Sequence, residues 1–238
     1  MLTVNFDKIR LSKGDKLLDI GCGSGRHAAA AYGKPKVRVF AGDLKETDLQ
    51  SAKERFQFHD TVCAHGGGVW RLFAGDVRSL PFKDECFDCV ICSEVLEHVK
   101  DHERALFEIH RVLKPGGRLA VSVPRFFPET ICWKLSREYP DPEGGGHIRI
   151  YRFSELADLI ETGGFHLVNW HHAHSLHTPY WWLKCWVGIH REDHPLVRCY
   201  HRFLTWDIMK RPWVSQFLDR VLNPLLGKSL VLYAVKAI

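Results

Sequence analysis

Short apolar runs alternate with segments of helical periodicity along most of the chain. The runs are KLLDI (16–20), VRVFAGD (37–43), WRLFAGD (70–76), FDCVICS (87–93) and RLAVSVP (118–124). Such regular alternation predicts a doubly wound α/β fold, in which a mostly parallel sheet carries helices on both faces. Ligands of these folds lie beyond the carboxyl ends of the strands, so functional residues are expected in the loops that follow them.

Two more strands are predicted near the C-terminus, at residues 165–174 and 229–237, which brings the sheet to seven strands. The segment between them, residues 175–228, is far longer than a hairpin needs and has the pattern of short amphipathic helices. It holds five of the eight tryptophans, and its eight Lys and Arg against four Asp and Glu carry most of the net charge of +5. We therefore expect an aromatic helical insertion before the last strand.

Composition excludes several classes of protein. Hydrophobic residues make up 45% and charged residues 26% of the 238 residues, which is typical of a globular chain. The first ten residues contain no apolar run like that of a secretory leader, and no uncharged stretch approaches the roughly 20 apolar residues of a spanning helix. Eight cysteines in such a chain indicate reduced thiols. We expect a cytoplasmic protein.

The first apolar run ends in the sequence DIGCGSG, in which an acid precedes three glycines at alternate positions. Gly21, Gly23 and Gly25 follow G-x-G-x-G, and Arg26 stands where the dinucleotide fingerprint has its third glycine. Asp19 lies directly before the turn, where its carboxylate would repel a pyrophosphate but attract an ammonium group. This loop therefore favours a nucleoside ligand with a cationic tail.

Acidic residues also end the second and third runs. Asp43 stands 24 residues after Asp19, at a position where an acid can accept both hydroxyls of a ribose. Asp76 and Val77 suit an adenine, since the first offers an acceptor to the exocyclic amine and the second an apolar face to the ring. Together with the glycine loop, these positions predict a ligand with adenine, ribose and an amino-acid tail but no phosphate.

Taken together, these motifs resemble those of the class I S-adenosylmethionine-dependent methyltransferases, in particular the small-molecule branch that includes ubiquinone-pathway enzymes. The matching segments are LLDIGCGSGRHA, GDL, GDVRSLPFKDECFDCVICSEVLEHV and EIHRVLKPGGRLAVSVP, in order over about residues 14–170. The resemblance implies one methyltransferase domain over 1–238 with S-adenosyl-L-methionine as its cofactor. It also implies the cofactor-binding residues, which are Asp19, Gly21, Cys22, Gly23, Gly25, His27, Asp43, Leu44, Asp76, Val77 and Ser93.

Candidate catalytic residues follow the fourth run, in SEVLEHV, and lie in a later loop, EGGGHIRIY. We expect Glu94, His98 and His147 to orient or deprotonate the acceptor. If SEVLEHV is helical, Glu94, Glu97 and His98 share one face at positions i, i+3 and i+4. A similar E-x-x-E-H in ubiquinone-pathway O-methyltransferases and small-RNA 2′-O-methyltransferases implies a divalent metal there. We expect no metal in this chain, and a cation held by Glu94, Glu97 and His98 is the alternative.

We expect residues 125–150 and 175–228 to select the substrate, because only about 15 residues precede the first strand. The tryptophans and basic residues of 175–228 fit a lid over an apolar acceptor pocket, a dimer interface or contact with a membrane surface. We expect methyl transfer from S-adenosylmethionine to a small apolar acceptor, lipid-like molecules included, at oxygen or carbon.

Two other functions remain open from the sequence. One is methylation of RNA, at a ribose or a modified nucleoside. Against nucleic-acid bases as targets, neither an N-P-P-Y-like sequence nor a proline-cysteine nucleophile follows the fourth run, and the basic residues form no dense run. The other is a non-catalytic subunit that binds S-adenosylmethionine and serves a partner protein.

Overall fold

The computed structural model describes residues 2–140 and 146–237, whose strands form one seven-stranded sheet in the order β3-β2-β1-β4-β5-β7-β6. The strands are β1 (Lys16–Ile20), β2 (Arg38–Asp43), β3 (Val69–Ala74), β4 (Phe87–Ser93), β5 (Leu113–Pro124), β6 (Phe165–Ala173) and β7 (Ser229–Lys236). Only β7 runs antiparallel to its neighbours, and the other paired strands of the sheet are parallel. The predicted seven-stranded, mostly parallel sheet is confirmed.

Helices connect the strands. They are α1 (Phe6–Ile9), α2 (Arg26–Tyr32), α3 (Glu46–Thr61), α4 (His102–Val112), α5 (Phe126–Leu135), α6 (Phe153–Thr162), α7 (Thr178–Val187), α8 (Pro195–Lys210) and α9 (Trp213–Leu226). Two short 3₁₀ turns, Leu96–His98 and Ser175–His177, follow β4 and β6. No helix in the described part of the chain is both long and apolar enough to cross a bilayer.

The core is divided into two layers by the sheet, because successive side chains of a strand point to opposite faces. Leu18 of β1 belongs to the layer that also holds the apolar stripes of α4 and α6. Its neighbour Leu17 belongs to the opposite layer, with side chains of α2 and α3. Burial on both faces is why the central strands form continuous apolar runs rather than alternating patterns.

The fifth strand begins earlier than its sequence predicts. The helix α4 ends at Val112, and β5 starts directly at Leu113 instead of residue 118. Phe87 of β4 pairs with Leu113, whereas Cys89 pairs with Arg118, so the extra residues within 114–117 form a bulge. The K-P-G-G sequence therefore interrupts the register of the strand without ending it.

The insertion before the last strand is helical, as predicted. Helix α7 packs on α5, and α9 packs on β6 and on the turn Ser175–His177. A hydrogen bond also joins the insertion to the rest of the chain, since Trp182 donates its indole N–H to the carbonyl of Pro128 over 3.0 Å. The insertion thus lies against the β6–β7 side of the sheet.

The turn after β1 is tied to the end of β2 by backbone hydrogen bonds. The N–H groups of Gly21 and Cys22 both donate to the carbonyl of Gly42, over 2.8 and 3.0 Å. Gly21 has a φ of +69°, and a Cβ built there would lie 2.2 Å from Cγ2 of Val95. Only glycine satisfies both the left-handed backbone and the close approach of the loop after β4.

We predict that Gly21→Ala destabilises the fold more than Gly14→Ala. Gly14 has a φ of +88° with nothing within 4 Å of the position that a Cβ would take, so its substitution measures backbone strain alone, about 1 kcal/mol. The overlap with Val95 adds a packing cost, giving a loss of about 2 kcal/mol or more for Gly21→Ala. Urea unfolding of both variants measures the difference, and equal losses would contradict the tight turn.

Candidate active site

A cleft of about 570 Å³ lies at the carboxyl ends of the strands on the β1–β4 side of the sheet. Loops after β1, β2, β3 and β4 all contribute to it, as expected for a parallel sheet. Its lining residues are Ile20, Gly21, Gly23, Asp43, Leu44, Lys45, Asp48, Gly75, Asp76, Val77, Arg78, Glu94, Val95, His98, Val99 and Lys100. The cleft therefore brings together residues from the glycine loop, the strand-end acids and the segment after β4.

Asp43 is held in the cleft by two backbone donors. The N–H of Gly23 donates to Oδ2 over 2.8 Å, and the N–H of Lys45 donates to Oδ1 over 3.0 Å. Each carboxylate oxygen has a second lone pair and can accept another hydrogen bond. A carboxylate fixed in this way suits a pair of neighbouring hydroxyl groups.

Asp19 lies beneath the glycine turn and is 1% exposed. Its Oδ2 accepts a hydrogen bond from the N–H of Ala28 over 2.9 Å, whereas its Oδ1 is buried without a partner among the described residues. Burial raises the pKa of Asp19 to about 7. A cationic group beside Oδ1 would stabilise the charged carboxylate, which fits the ammonium role predicted for this position.

Asp76 is engaged by a neighbour that the sequence motifs did not indicate. Arg78 donates from its backbone N–H to Oδ1 of Asp76 over 2.8 Å and from Nε over 3.0 Å. Hydrogen bonds from Arg78 lower the pKa of Asp76, so this carboxylate is ionised at neutral pH. Val77 is buried beside it, and Leu44 projects at the cleft rim with 70% exposure.

His27, predicted to contact the cofactor, lies outside the lining of the cleft. Its Nε2 accepts hydrogen bonds from the N–H groups of Thr3 and Val4, over 3.0 and 3.3 Å. Burial lowers the pKa of His27 to about 4, so the ring is neutral and Nε2 can act as an acceptor. The structure shows His27 holding the N-terminal segment against α2, and a cofactor contact stays a prediction.

Cys22, Gly25 and Ser93 also lie outside the lining. Cys22 is buried, and Gly25 is the N-cap of α2 with a φ of +74° and a Cβ position 3.0 Å from Ala52. The hydroxyl of Ser93 shares a 2.8 Å hydrogen bond with that of Ser122 in the neighbouring strand. These residues shape the loops around the cleft.

The segment after β4 does not form the helix on which one prediction depended. Glu94 has a φ of +57°, and only the 3₁₀ turn Leu96–His98 follows it. Glu94 therefore departs from the face that Glu97 and His98 were expected to share, and its Oε1 accepts from the hydroxyl of Ser122 over 2.9 Å. The assumption of a common helical face was wrong.

The fold brings His98 and His147 together, with their ring centroids 5.0 Å apart. His98 also bonds to the carbonyl of Gly146, which lies 48 residues further along the chain. Nδ1 of His98 lies 3.1 Å from the carbonyl of Gly146, and Nδ1 of His147 lies 2.5 Å from Oε1 of Glu129. A carbonyl can only accept, so the proton of His98 is on Nδ1. Neither Nε2 has a hydrogen-bond partner in the ranges 2–140 and 146–237.

Glu129 fixes the orientation of His147 through the hydrogen bond at Nδ1. Its carboxylate is fully buried and also accepts from Nζ of Lys228 over 2.6 Å and from the hydroxyl of Tyr139 over 3.3 Å. Burial raises the pKa of Glu129, but the hydrogen bond from His147 and the charge of Lys228 outweigh it and lower the pKa to about 2. An ionised Glu129 must accept from His147, so His147 carries its proton on Nδ1 as well.

Glu97 stands beside the two rings as a fully buried carboxylate. Neither of its side-chain oxygens has a hydrogen-bond partner in the described chain, and burial raises its pKa well above the ordinary value. Donor atoms of Glu97, His98 and His147 all lie within 4.8 Å of one another. The structure thus groups three potential metal ligands, in which His147 takes the place that Glu94 had in the alternative set drawn from the sequence.

Residues 175–228 contribute nothing to the lining of the cleft within the described chain. Their nearest link to it is indirect: Lys228 binds Glu129, and Trp181 packs edge-on against Tyr139 with ring centroids 5.9 Å apart. A lid or substrate-selecting role for this segment stays a prediction.

Comparisons with known proteins indicate one class of enzyme. A family model described as a methyltransferase domain matches residues 18–121. The O-methyltransferase rstn1 of Aspergillus nomiae is 31% identical over 172 residues, which cover 66% of this chain and 73% of that protein. The ubiquinone/menaquinone biosynthesis C-methyltransferase UbiE of Haemophilus ducreyi is 29% identical over 189 residues, covering 71% of this chain and 70% of that protein.

A solved structure from Bacillus halodurans superimposes with a TM-score of 0.65 at 22% identity, covering 98% of this chain and 97% of that one. At this identity the likeness concerns the fold alone. Two further curated relatives, both from Streptomyces, are matched over only 37% and 40% of their own length. The chain therefore spans about two fifths of those two proteins.

Proposed function

Because the chain belongs to the class I S-adenosylmethionine-dependent methyltransferases, in their small-molecule branch, we propose that it transfers a methyl group from S-adenosylmethionine to a small apolar acceptor. The observation that carries the proposal is the Asp43 carboxylate, held by two backbone N–H groups beside the glycine turn. Acceptor oxygens fixed at that point suit the vicinal hydroxyls of a ribose.

The residues of the cleft fit the parts of the cofactor. Asp43 would accept from the ribose, and Val77 and Leu44 would flank the adenine. Asp19 lies outside the lining, beneath the glycine turn, and its Oδ1, unpartnered among the described residues, would attract the ammonium toward that turn. Arg78 donates to the Asp76 carboxylate, but each carboxylate oxygen can accept more than one hydrogen bond, so Asp76 would also accept from the adenine amine. When bound, S-adenosylmethionine supplies an electrophilic methyl group on a sulfonium.

His98 is the side chain best placed to act on the acceptor, because it lines the cleft and its Nε2 has a free lone pair. Burial lowers the pKa of His98, so the ring is neutral at pH 7 and can take a proton from an acceptor hydroxyl. His147, oriented by Glu129, would position His98 or the acceptor. Glu94 borders the same end of the cleft and would contribute to alignment.

A metal-assisted form of the reaction is favoured by one observation, the two unpartnered oxygens of Glu97 in the described chain. In each neighbouring histidine, Nδ1 bonds to a carbonyl or carboxylate and Nε2 is left for another ligand. Metal-binding histidines are commonly oriented in this way. Activity that a chelator abolishes and a divalent cation restores would assign the cluster to a metal. Activity that is indifferent to chelation would assign it to proton transfer.

We predict that Asp43→Ala weakens S-adenosylmethionine binding at least about tenfold, because both ribose hydrogen bonds are lost. Asp43→Asn, which keeps one acceptor oxygen, should lose less. Asp48→Ala is the matched control: it removes the same charge from the cleft lining but none of these bonds, and should cost less than about threefold. Isothermal titration calorimetry measures all three, and an unchanged dissociation constant for Asp43→Ala would refute the ribose role.

For the acceptor end, we predict that His98→Ala lowers kcat about a hundredfold while cofactor binding changes little. Glu129→Gln should lower kcat less, since it removes the charge behind His147 but keeps an amide oxygen that can accept from its Nδ1–H. Because the pKa of His98 lies below its ordinary value of 6.5, the acidic limb of the kcat profile should fall below pH 6.5. The control is His166→Ala, which removes an exposed histidine of β6 and should leave kcat unchanged. If His98→Ala and Glu129→Gln lower kcat and cofactor affinity in parallel, His98 and Glu129 are structural.

The acceptor is sought with labelled S-adenosylmethionine and a panel of phenols, catechols, hydroxylated lipids and transfer RNA. Label in a small apolar compound supports the proposal. Label in RNA alone would favour the ribose or nucleoside alternative. Cofactor binding without any labelled product would favour a non-catalytic partner subunit.

A further inference from the structure

Helix α9 turns three of its polar side chains toward the protein, those of Ser215, Asp219 and Asn223. The hydroxyl of Ser215 donates to the carboxylate of Asp207 in α8. Asp219 accepts from the hydroxyl of Ser175 over 2.8 Å, and Asn223 accepts from the backbone N–H of Ser175 over 2.9 Å. Polar contacts, rather than apolar packing, therefore hold this helix against the body of the molecule.

The opposite side of α9 is apolar and faces solvent. Six exposed residues lie along it, namely Trp213, Val214, Phe217, Leu218, Val221 and Leu225. Their spacing places them on one stripe of the helix, and Trp213 is 78% exposed. A surface helix of a globular protein buries such a stripe in the core, so α9 is inverted relative to the usual arrangement.

Helix α8, joined to α9 by two residues, adds to the exposed apolar surface. Its contribution comes from Leu196, Phe203, Trp206 and Met209, and the Met209 side chain is 75% exposed. We call the surface made by these four residues and the stripe of α9 the outer face of α8 and α9. Exposed large apolar side chains that concentrate on two connected helices commonly mark a site of interaction.

The exposed charges carried by α8, α9 and their two-residue connection have one sign. Five basic side chains of the two helices and their connection are exposed: Arg198, Arg202, Lys210, Arg211 and Arg220. The acids of the same segment are Asp207 and Asp219, and both point inward to hydrogen-bond with serines. The exposed charge of α8 and α9 is therefore entirely positive.

We propose that the outer face of α8 and α9 docks on the surface of an anionic phospholipid bilayer. Apolar stripes with tryptophan, bordered by Arg and Lys, are the composition of helices that lie in the plane of a membrane interface. Anionic headgroups complement the five basic side chains. A second copy of the chain would instead oppose two surfaces of the same charge, and an RNA would leave the aliphatic side chains without partners.

Docking of this face goes beyond the proposed function and does not rest on it, because it requires neither cofactor nor acceptor. Residues 175–228 would then bind the membrane with a surface that lies outside the lining of the cleft. If both proposals hold, the enzyme would reach acceptors dissolved in the bilayer, where apolar molecules concentrate.

The test measures co-sedimentation of the whole chain with two kinds of vesicle, pure phosphatidylcholine and phosphatidylcholine with phosphatidylglycerol. We expect binding about tenfold or more tighter to the anionic vesicles. Phe217→Ser and Arg202→Glu should each weaken that binding about tenfold, through lost apolar burial and reversed charge.

Matched controls exist elsewhere on the surface. Phe107 of α4 is 55% exposed and Phe217 is 57% exposed, so Phe107→Ser removes an equally exposed ring from another helix. Lys53→Glu reverses an exposed charge on α3. Neither control should change vesicle binding, and all four variants should unfold at the wild-type temperature because the side chains are exposed.

Three results would overturn the proposal. The first is no vesicle binding, or equal binding to both vesicles. The second is a dimer in vesicle-free buffer that Phe217→Ser dissociates, which would make a second copy the occupant. The third is salt-sensitive RNA binding that Arg202→Glu abolishes while vesicle binding is absent.

Discussion

The backbone hydrogen bonds that tie the turn after β1 to the end of β2 determine where everything else in the cleft lies. Gly42 accepts from two successive N–H groups of that turn, and Asp43 accepts from a third, that of Gly23. β1 occupies a central position between β2 and β4, so this connection fixes the glycine loop relative to both neighbours. Val95, in the loop after β4, closes on the same turn at Gly21.

The other end of the cleft depends on buried charge. Glu129 comes from α5, Lys228 precedes β7 and His147 comes from the segment before α6, and their hydrogen bonds join three separate parts of the chain. The pair of Glu129 and Lys228 keeps a carboxylate ionised in a buried position, which in turn sets the tautomer of His147. Among the residues the structure describes, the two histidine rings and the unpartnered Glu97 therefore bring three potential ligand or proton-transfer groups together.

Sequence patterns predicted the sheet well and the lining of the cleft in part. The bounds of β1 and β4 agree with the predicted runs, because strands buried on both faces leave an uninterrupted apolar signal. Asp43 and Asp76 were located because a parallel sheet places all its strand ends on one edge. For Glu94, the helical periodicity of SEVLEHV was misleading, since a left-handed residue is not visible in the spacing of side chains.

Other features had no signal along the chain. Glu129 and Lys228 are 99 residues apart, and only the packing of α5 beside the start of β7 reveals that they are partners. The amphipathic pattern of α9 predicts a helix, but it does not say which face turns inward. Here the polar side is held by hydrogen bonds to Ser175 and Asp207, and this tertiary preference decides the orientation.

We propose that the turn after β1 and the Asp43 carboxylate together hold an adenosyl amino acid. A crystal structure of the protein with the product-like ligand S-adenosylhomocysteine tests it most directly. We expect both ribose hydroxyls within about 2.5–3.0 Å of the Asp43 oxygens and the ligand's ammonium on the side of the glycine turn nearest Oδ1 of Asp19. A ligand that lies elsewhere, or that leaves Asp43 bonded only to Gly23 and Lys45, would contradict it.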